Sequence, residues 1–346
     1  MGRTSHRMIL RHHPLFGQWH VPNLRAYVPH ERGYFVVKTN RDGMRASVDH
    51  EIHRSGNRYR ILLFGDSYTA GDGVHNEERY SDLMEKIWPG TEVLNFGVNS
   101  SGIDQQVLIL EQLGVRFESD LILFCPLVEN IRRNQLRFWH GLDRTTGQSV
   151  LVPKPYFTLQ EGELRLHHVP VPKERIFLAE APEELKRMFH FKEREMNFTD
   201  VLSEGLTPVR DAFRRWSRYQ PYPEYDSPES PEWLLTKELL KRVIHLAGSR
   251  QVVLAPLPNF YTIEGISPPT YRERFREFAR EHPEVRFLDL LPYFLELSRA
   301  ERISCRYPHD VHYTPLGHSV VARALVAELK KLRLTAPKAE SVEVSA

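Results

Sequence analysis

The feature that most constrains this chain is residues 61–74, which read ILLFGDSYTAGDGV. The stretch opens with four apolar residues, 61–64, and a short apolar run bounded by glycine is typical of a strand buried on both faces. Gly65, Asp66 and Ser67 then end the strand. We therefore predict that Ser67 lies at the carboxyl end of a central strand, where α/β sheets bind their ligands.

Strand and helix patterns alternate on both sides of this stretch. Further strands are predicted at 92–97, 120–125, 251–255 and 285–290. Helical spacing of apolar residues predicts helices at 80–87, 103–113, 233–247 and 271–280, and a final helix ending near 331. This alternation predicts an α/β fold in three layers, with a doubly wound parallel sheet between two layers of helices.

The patterning also predicts how the chain is divided. Residues 1–58 form an N-terminal β extension that packs on the core, with a hairpin or edge strand at 34–40. The core domain spans 59–334 and carries an insertion at about 140–230, which is either a lid or binding wall or a scaffold extension or oligomer contact. Residues 335–346 form a flexible tail.

Composition excludes several classes of protein. The 346 residues are 41% hydrophobic and 27% charged, as in ordinary globular proteins. A net charge of +2 gives no electrostatic case for a nucleic-acid partner. No apolar run is long enough to span a membrane, and the N-terminus does not read as a signal peptide. Two cysteines predict no disulfide framework and a cytoplasmic location, while the oligomeric state is not indicated.

Ser67 has two competing interpretations at this point: a nucleophile, or part of a plain βα turn. A phosphate-binding loop is disfavoured, because neither the Walker nor the dinucleotide glycine pattern is present. A serine nucleophile needs a base, normally a histidine held by a carboxylate. Asp310 and His312 supply both just before the last predicted helix. An isolated Asp-x-His also occurs in ordinary polar loops, but the pairing with Ser67 favours a triad.

Two segments carry a family resemblance. The first block of the GDSL, or SGNH, esterase superfamily is matched by Gly65, Asp66, Ser67, Thr69 and Gly71. The fifth block, in the form typical of a glycan-associated branch, is similar to Asp310, His312, Tyr313, Gly317 and His318. Residues 39–45 also resemble an Asn-x-x-Gly-(Phe/Leu)-Arg element of that branch, which accompanies bacterial polysaccharide and surface-glycan enzymes.

The resemblance implies the SGNH-hydrolase fold, which is flavodoxin-like, and a role for each matched residue. Ser67 is the nucleophile, His312 the general base and Asp310 the residue that orients it. The oxyanion hole is formed by the backbone N–H of Ser67, Gly97 and the side chain of Asn130.

The third block departs from the family pattern. It reads Leu-Val-Glu-Asn-Ile at 127–131, where Gly-x-Asn-Asp is usual, and this makes Asn134 a rival to Asn130. Both oxyanion assignments have structural alternatives, since glycine is common at strand exits and asparagine caps helices.

The sequence therefore predicts a serine esterase that removes an acyl group, with acetyl as the first guess, from a carbohydrate or glycan precursor. Its substrate is a small-molecule or glycan ester, and no cofactor is expected. Two alternatives remain: an O-acyltransferase that uses the same acyl-enzyme, and a non-catalytic carbohydrate-binding protein. A zinc site built from His309, Asp310, His312 and His318 is a weaker reading, because it leaves the serine block unexplained.

Overall fold

The computed structural model describes residues 9–54, 56–143, 145–186 and 219–335. The strands are β1 (Leu10–His13), β2 (Gly17–His20), β3 (Arg25–His30), β4 (Gly33–Lys38), β5 (Tyr59–Gly65), β6 (Thr91–Asn95), β7 (Leu121–Cys125), β8 (Phe138–Leu142), β9 (Ser149–Pro153), β10 (Tyr156–Gln160), β11 (Glu163–His167), β12 (Ile176–Phe177), β13 (Gln251–Leu254) and β14 (Val285–Phe287). The α-helices are α1 (Ser67–Ala70), α2 (Tyr80–Ile87), α3 (Ile103–Gln112), α4 (Asn130–Arg133), α5 (Pro231–Ala247), α6 (Phe260–Ile263), α7 (Tyr271–Glu281), α8 (Leu291–Leu295), α9 (Arg299–Ser304) and α10 (Pro315–Thr335).

A five-stranded parallel sheet forms the centre of the molecule, in the order β14-β13-β7-β5-β6. From β5 the chain passes to β6 on one side and then crosses to β7 on the other. The carboxyl ends of these three strands therefore surround a topological switch point, where open α/β sheets bind ligands. The predicted doubly wound α/β fold is confirmed.

The two faces of β5 bury alternate residues in two separate cores. Leu62 and Phe64 pack with residues of α3, α5 and α7, whereas Ile61 and Leu63 pack with residues of α2, α8 and α10. All four side chains are fully buried. A strand buried on both faces has no need of polar alternation, which explains the continuous apolar run.

The last strand of the sheet is shorter than predicted. β14 ends at Phe287, whereas the apolar pattern extends to Leu290. The side chain of Asp289 accepts a hydrogen bond from the N–H of Leu291 at 3.3 Å, so this segment already leads into α8. An edge strand with a partner on one side only ends where its backbone turns toward the next helix.

The N-terminal strands form two antiparallel hairpins, β1–β2 and β3–β4. The predicted strand at 34–40 is confirmed as β4, paired with β3 in a hairpin. A small cluster of Ile9, Val28, Phe35 and Val37 forms the apolar side of this region.

A tight turn after β4 connects the N-terminal region to the sheet. The Asn40 side chain accepts hydrogen bonds from the N–H groups of Asp42 and Met44, at 3.1 and 3.0 Å. The turn directs Arg45 into the protein, where its guanidinium donates to the carbonyls of Ala70 and Gly71 at 2.8 and 2.5 Å. The segment 39–45 that resembles the glycan-branch element thus braces the end of α1.

Residues 138–177 contribute a second layer of strands. β8, β9 and β12 form an antiparallel sheet, and β10 and β11 form a hairpin that contacts α3 and α5. Glu161 and Gly162 form the turn of this hairpin with φ of 52° and 84°.

Some predicted segments lie outside the described residues. These are residues 1–8 of the N-terminal extension, most of the second half of the insertion (187–218), and all but residue 335 of the predicted tail at 335–346. Across the described ranges, no helix combines the length and the apolar character needed to cross a membrane.

Candidate active site

Ser67 lies where β5 turns into α1, and the local sequence explains this turn. Asp66 caps α1, since its Oδ1 accepts a hydrogen bond from the N–H of Tyr68 at 3.0 Å. A Cβ on Gly65 would lie 1.9 Å from Oγ1 of Thr69, so only glycine fits there. Ser67 is thereby held as the first residue of α1, at the switch point.

The structure brings Ser67, His312 and Asp310 together. The Nε2 of His312 lies 2.8 Å from Oγ of Ser67. On the other side of the ring, Nδ1 of His312 makes a short hydrogen bond to Oδ1 of Asp310. These two contacts are the ones that a serine, a base and an orienting carboxylate require.

Contacts from other elements position the loop that carries Asp310 and His312. The hydroxyl of Tyr68 donates to the carbonyl of Val311 at 2.8 Å, and the ring of Tyr68 lies 4.8 Å from the ring of His312. The carboxylate of Glu31, just after β3, accepts the N–H of Asp310 at 2.7 Å. The loop is therefore fixed to α1 on one side and to the N-terminal hairpin on the other.

The charge balance around His312 favours the imidazolium. Burial by itself lowers the pKa of His312, but the hydrogen bond that its ring donates to Asp310 and the negative charges of Asp72 and Asp310 outweigh it and raise the pKa to about 9. Burial also acts to raise the pKa of Asp310, and the hydrogen bonds and charge of His312 hold it well below its usual value.

A second carboxylate faces His312. Oδ2 of Asp72 lies 4.0 Å from Nε2 of His312. Its carboxylate accepts hydrogen bonds from the Asn99 amide, both at 2.5 Å, and Oδ1 of Asn99 lies 3.2 Å from Nε2 of His20. Asp72 is 3% exposed, so its charge acts on His312 with little screening by solvent.

A second histidine faces Asp310. The Nε2 of His30 lies 3.4 Å from Oδ2 of Asp310. Nδ1 of His30 accepts the N–H of Arg32 at 3.4 Å, so Nε2 is the ring nitrogen that faces the carboxylate. Asp310 therefore has an imidazole beside each of its oxygens.

The N–H of Gly97 is engaged elsewhere in the protein. It donates to Oδ1 of Asn95 at 2.8 Å. A Cβ at position 97 would lie 2.5 Å from the N atom of Ala70 and 2.8 Å from the carbonyl carbon of Thr69. Close packing against α1 accounts for the glycine, and the geometry does not support the predicted oxyanion role.

Asn130 also has a different set of contacts from the one predicted. Its Nδ2 donates to Oδ2 of Asp66 at 3.0 Å, and its Oδ1 accepts from Nε2 of Gln106 at 3.0 Å. The residue is fully buried and does not line the cavity at Ser67. Its amide therefore supports the carboxylate that caps α1, and the oxyanion role stays a prediction.

The other polar residues of the third block are engaged as well. Oδ1 of Asn134 accepts the N–H of Ile103 at 2.9 Å and so caps α3. Glu129 forms a short ion pair with Arg133, whose Nη1 also donates to Oδ2 of Asp66 at 2.8 Å. The rival Asn134 is thus a helix cap.

A cavity of about 440 Å³ opens at Ser67 and His312. The loop after β6 contributes Ser100 to its lining, in a left-handed conformation with φ of 62°. Within the described ranges, the N–H groups of Ser67 and Ser100 have no protein acceptor. Both are available to a bound substrate.

The histidines considered for a zinc site are separated by the fold. Nδ1 of His318 accepts the N–H of Tyr80 at 3.2 Å in a fully buried position. The N–H of His309 faces Glu31 at 3.3 Å. The described residues contain no group of three or more His, Cys, Asp or Glu side chains arranged to hold a metal ion.

Sequence reasoning did not identify His30, Asp72, Asn99, Ser100 and Arg133 as residues of this site. The sequence did contain a signal for Asp72, because this residue lies between two glycines of the Ser67 segment. Asn99 and Ser100 follow a predicted strand, in the position where ligand-binding residues occur. The sequence contained no such signal for His30, since its hairpin is far in sequence from the loop that carries Asp310 and His312.

No family model and no curated protein matches this chain. Among solved structures, it is similar to a lipolytic protein of the G-D-S-L family from Veillonella parvula, with 12% identity, a TM-score of 0.42 and coverage of 79% of this chain and 99% of the other. A lipase/acylhydrolase from Enterococcus faecalis has 15% identity and a TM-score of 0.42, with coverage of 79% of this chain and 96% of the other. The acetyl xylan esterase AlAXEase has 14% identity and a TM-score of 0.40, with coverage of 78% of this chain and 99% of the other. Identities and TM-scores this low assign neither a family nor an activity to the chain.

Proposed function

We propose that this protein is a serine ester hydrolase of the SGNH type. The observation that carries the proposal is the contact of 2.8 Å between Nε2 of His312 and Oγ of Ser67, with Asp310 on the far side of the imidazole. A buried serine beside a histidine also occurs in inactive folds. Here, however, the pair lies at the base of an open cavity, at the switch point of the sheet.

Each residue of the proposed triad has a step in ester hydrolysis. Oγ of Ser67 attacks the ester carbonyl while its proton passes to Nε2 of His312. The tetrahedral intermediate expels the alcohol, which takes the proton from His312 and leaves an acyl-serine. Water, activated by His312, then releases the acid. Asp310 stabilises the imidazolium at both stages.

The proposed oxyanion donors are backbone groups. The N–H groups of Ser67 and Ser100 come from the loops after β5 and β6 and have no other acceptor in the described ranges. A donor fixed in the backbone needs no reorganisation during the reaction, and each is worth about 3 kcal/mol. In this proposal Ser100 replaces Gly97 as the donor after β6.

The proposed substrate is an O-acyl ester, with acetyl as the first guess, of a carbohydrate. Support comes from the glycan-branch element at 39–45 and from Trp139, an aromatic side chain in the cavity lining on which a sugar face can pack.

Hydrolysis of p-nitrophenyl acetate tests the proposal. Ser67→Ala and His312→Ala are expected to lower kcat by at least 10³-fold. Ser304→Ala, which removes an exposed hydroxyl on α9, is the matched control. Turnover by the wild type that survives in Ser67→Ala would contradict the proposal. If the rate rises when a sugar is added as acyl acceptor, and acetylated sugar is the product, the protein is the acyltransferase of the alternative hypothesis.

A further inference from the structure

The cavity at Ser67 has a strongly cationic lining. Four cationic side chains line it, Arg11, Arg133, Lys173 and Arg175, against one carboxylate, that of Asp72, among the described residues. They come from β1, from α4 and from the segment before β12. The composition of the whole chain gives no hint of this, because its net charge is only +2.

Two of these cations are already neutralised inside the protein. Arg133 pairs with Glu129 and Asp66, and Arg175 has Asp143 at 4.0 Å. The charge of these two side chains is therefore largely balanced before any substrate binds.

Arg11 and Lys173 differ from that pair. Neither has a carboxylate within 4.0 Å among the residues the structure describes. Asp72 does not balance them, since its carboxylate faces the Asn99 amide and His312. Arg11 and Lys173 are both exposed residues of the cavity lining, so this side of the cavity presents net positive charge to an incoming substrate.

We infer that the substrate is an acyl ester whose alcohol part carries an anionic group, a carboxylate or a phosphate, bound by Arg11 and Lys173. The inference rests on the proposed esterase function and adds the substrate class. Arginine binds the two oxygens of either anion in a fork, and lysine contributes a point charge. The ester carbonyl then lies at Ser67 while the anion is held by Arg11 and Lys173.

Three matched esters test this: a mono-O-acetylated methyl glucoside, the corresponding glucuronide and the corresponding glucose phosphate. Release of acetate gives kcat/KM for each. We expect at least one anionic ester to exceed the neutral one by about ten-fold at low salt. Comparison of kcat/KM between the glucuronide and the glucose phosphate shows whether the site prefers a carboxylate or a phosphate. High salt is expected to reduce the preference.

Variants locate the preference in the protein. Arg11→Gln and Lys173→Gln are each expected to lower the ratio of anionic to neutral kcat/KM several-fold. Arg165→Gln, an exposed arginine on β11 outside the cavity, is the matched control and should leave the ratio unchanged. Equal kcat/KM for the three esters, or a ratio that persists in both cavity variants, would overturn the inference.

The two levels of the proposal fail in different ways. The substrate class alone is overturned if p-nitrophenyl acetate is hydrolysed in a Ser67-dependent way but the anionic sugar esters are either not hydrolysed or not preferred over the neutral one. Absence of Ser67-dependent hydrolysis of every ester overturns the esterase function.

Discussion

The Nε2 of His30 lies 3.4 Å from Oδ2 of Asp310, the carboxylate oxygen that His312 does not contact. The two residues are 280 positions apart (310 − 30) and meet because the β3–β4 hairpin packs against the loop before α10. His30 itself is held between the rings of Phe35 and Tyr307. The N-terminal hairpin thus contacts the side chain of Asp310 that also pairs with His312.

The first prediction concerns this contact. His30→Phe is expected to lower kcat by about ten-fold, because Asp310 loses the polar imidazole that faces its Oδ2 at 3.4 Å. The unshared charge of Asp310 would also raise the pKa of His312, so the rising limb of the pH–rate profile should move to higher pH. His30→Gln, which retains an N–H donor, should recover most of the rate. An unchanged profile in His30→Phe would contradict a positioning role.

The second prediction concerns Asp72. Its negative charge, 4.0 Å from Nε2 of His312, favours the imidazolium. Asp72→Asn should therefore lower the pKa of His312, which stands at about 9, by roughly one unit. Because His312 acts as a base only when neutral, the rising limb of kcat/KM should move to lower pH. Asp226→Asn, an exposed residue outside the cavity lining, serves as the control. A shift in the opposite direction would contradict the charge balance described here.

The third prediction separates two roles of Gly97. If the glycine is needed for close packing against α1, then Gly97→Ala should lower the free energy of unfolding by roughly 1–3 kcal/mol through overpacking. The displaced α1 should lower activity in parallel. Gly265→Ala, at a positive φ of 68° with open space around it, should cost only about 1 kcal/mol. Thermal unfolding measures both. Full stability of Gly97→Ala with loss of kcat would favour the oxyanion role instead.

The fourth prediction concerns Asn130. Its removal leaves the buried carboxylate of Asp66 with one donor fewer, and burial already raises the pKa of Asp66 to about 6. Asn130→Ala should therefore lower the free energy of unfolding by about 1–3 kcal/mol and raise the pKa of Asp66 further. Asn134→Ala should cost about 1 kcal/mol as the loss of a helix cap. A loss of 10²–10³ in kcat for Asn130→Ala, with unchanged stability and KM, would instead support the oxyanion role.

The sequence predicted those parts of the molecule that are determined by residues close together in the chain. The apolar run 61–64 by itself indicates a strand buried on both faces, and the turn after it places Ser67 at the carboxyl end of that strand. Asp310 and His312 are two residues apart, so their proximity to each other needed no knowledge of the fold. The sheet follows from the same alternation of strands and helices.

The remaining features depend on contacts between distant segments. No pattern in the first 40 residues indicates that His30 meets Asp310 or that Arg11 lines the cavity, because both follow from how the hairpins pack. The polarity of Asn130 was visible, but its partner was not: a buried amide can face a substrate or another side chain. Here it faces Asp66 at 3.0 Å.

Covalent labelling of the intact protein with a fluorophosphonate tests the central claim most directly. Mass spectrometry should find one adduct, on the peptide that contains Ser67. Labelling should be absent in Ser67→Ala and at least 100-fold slower in His312→Ala, because the hydroxyl then lacks its base. An adduct on another residue, or labelling that persists in Ser67→Ala, would contradict the assignment of Ser67 as the nucleophile.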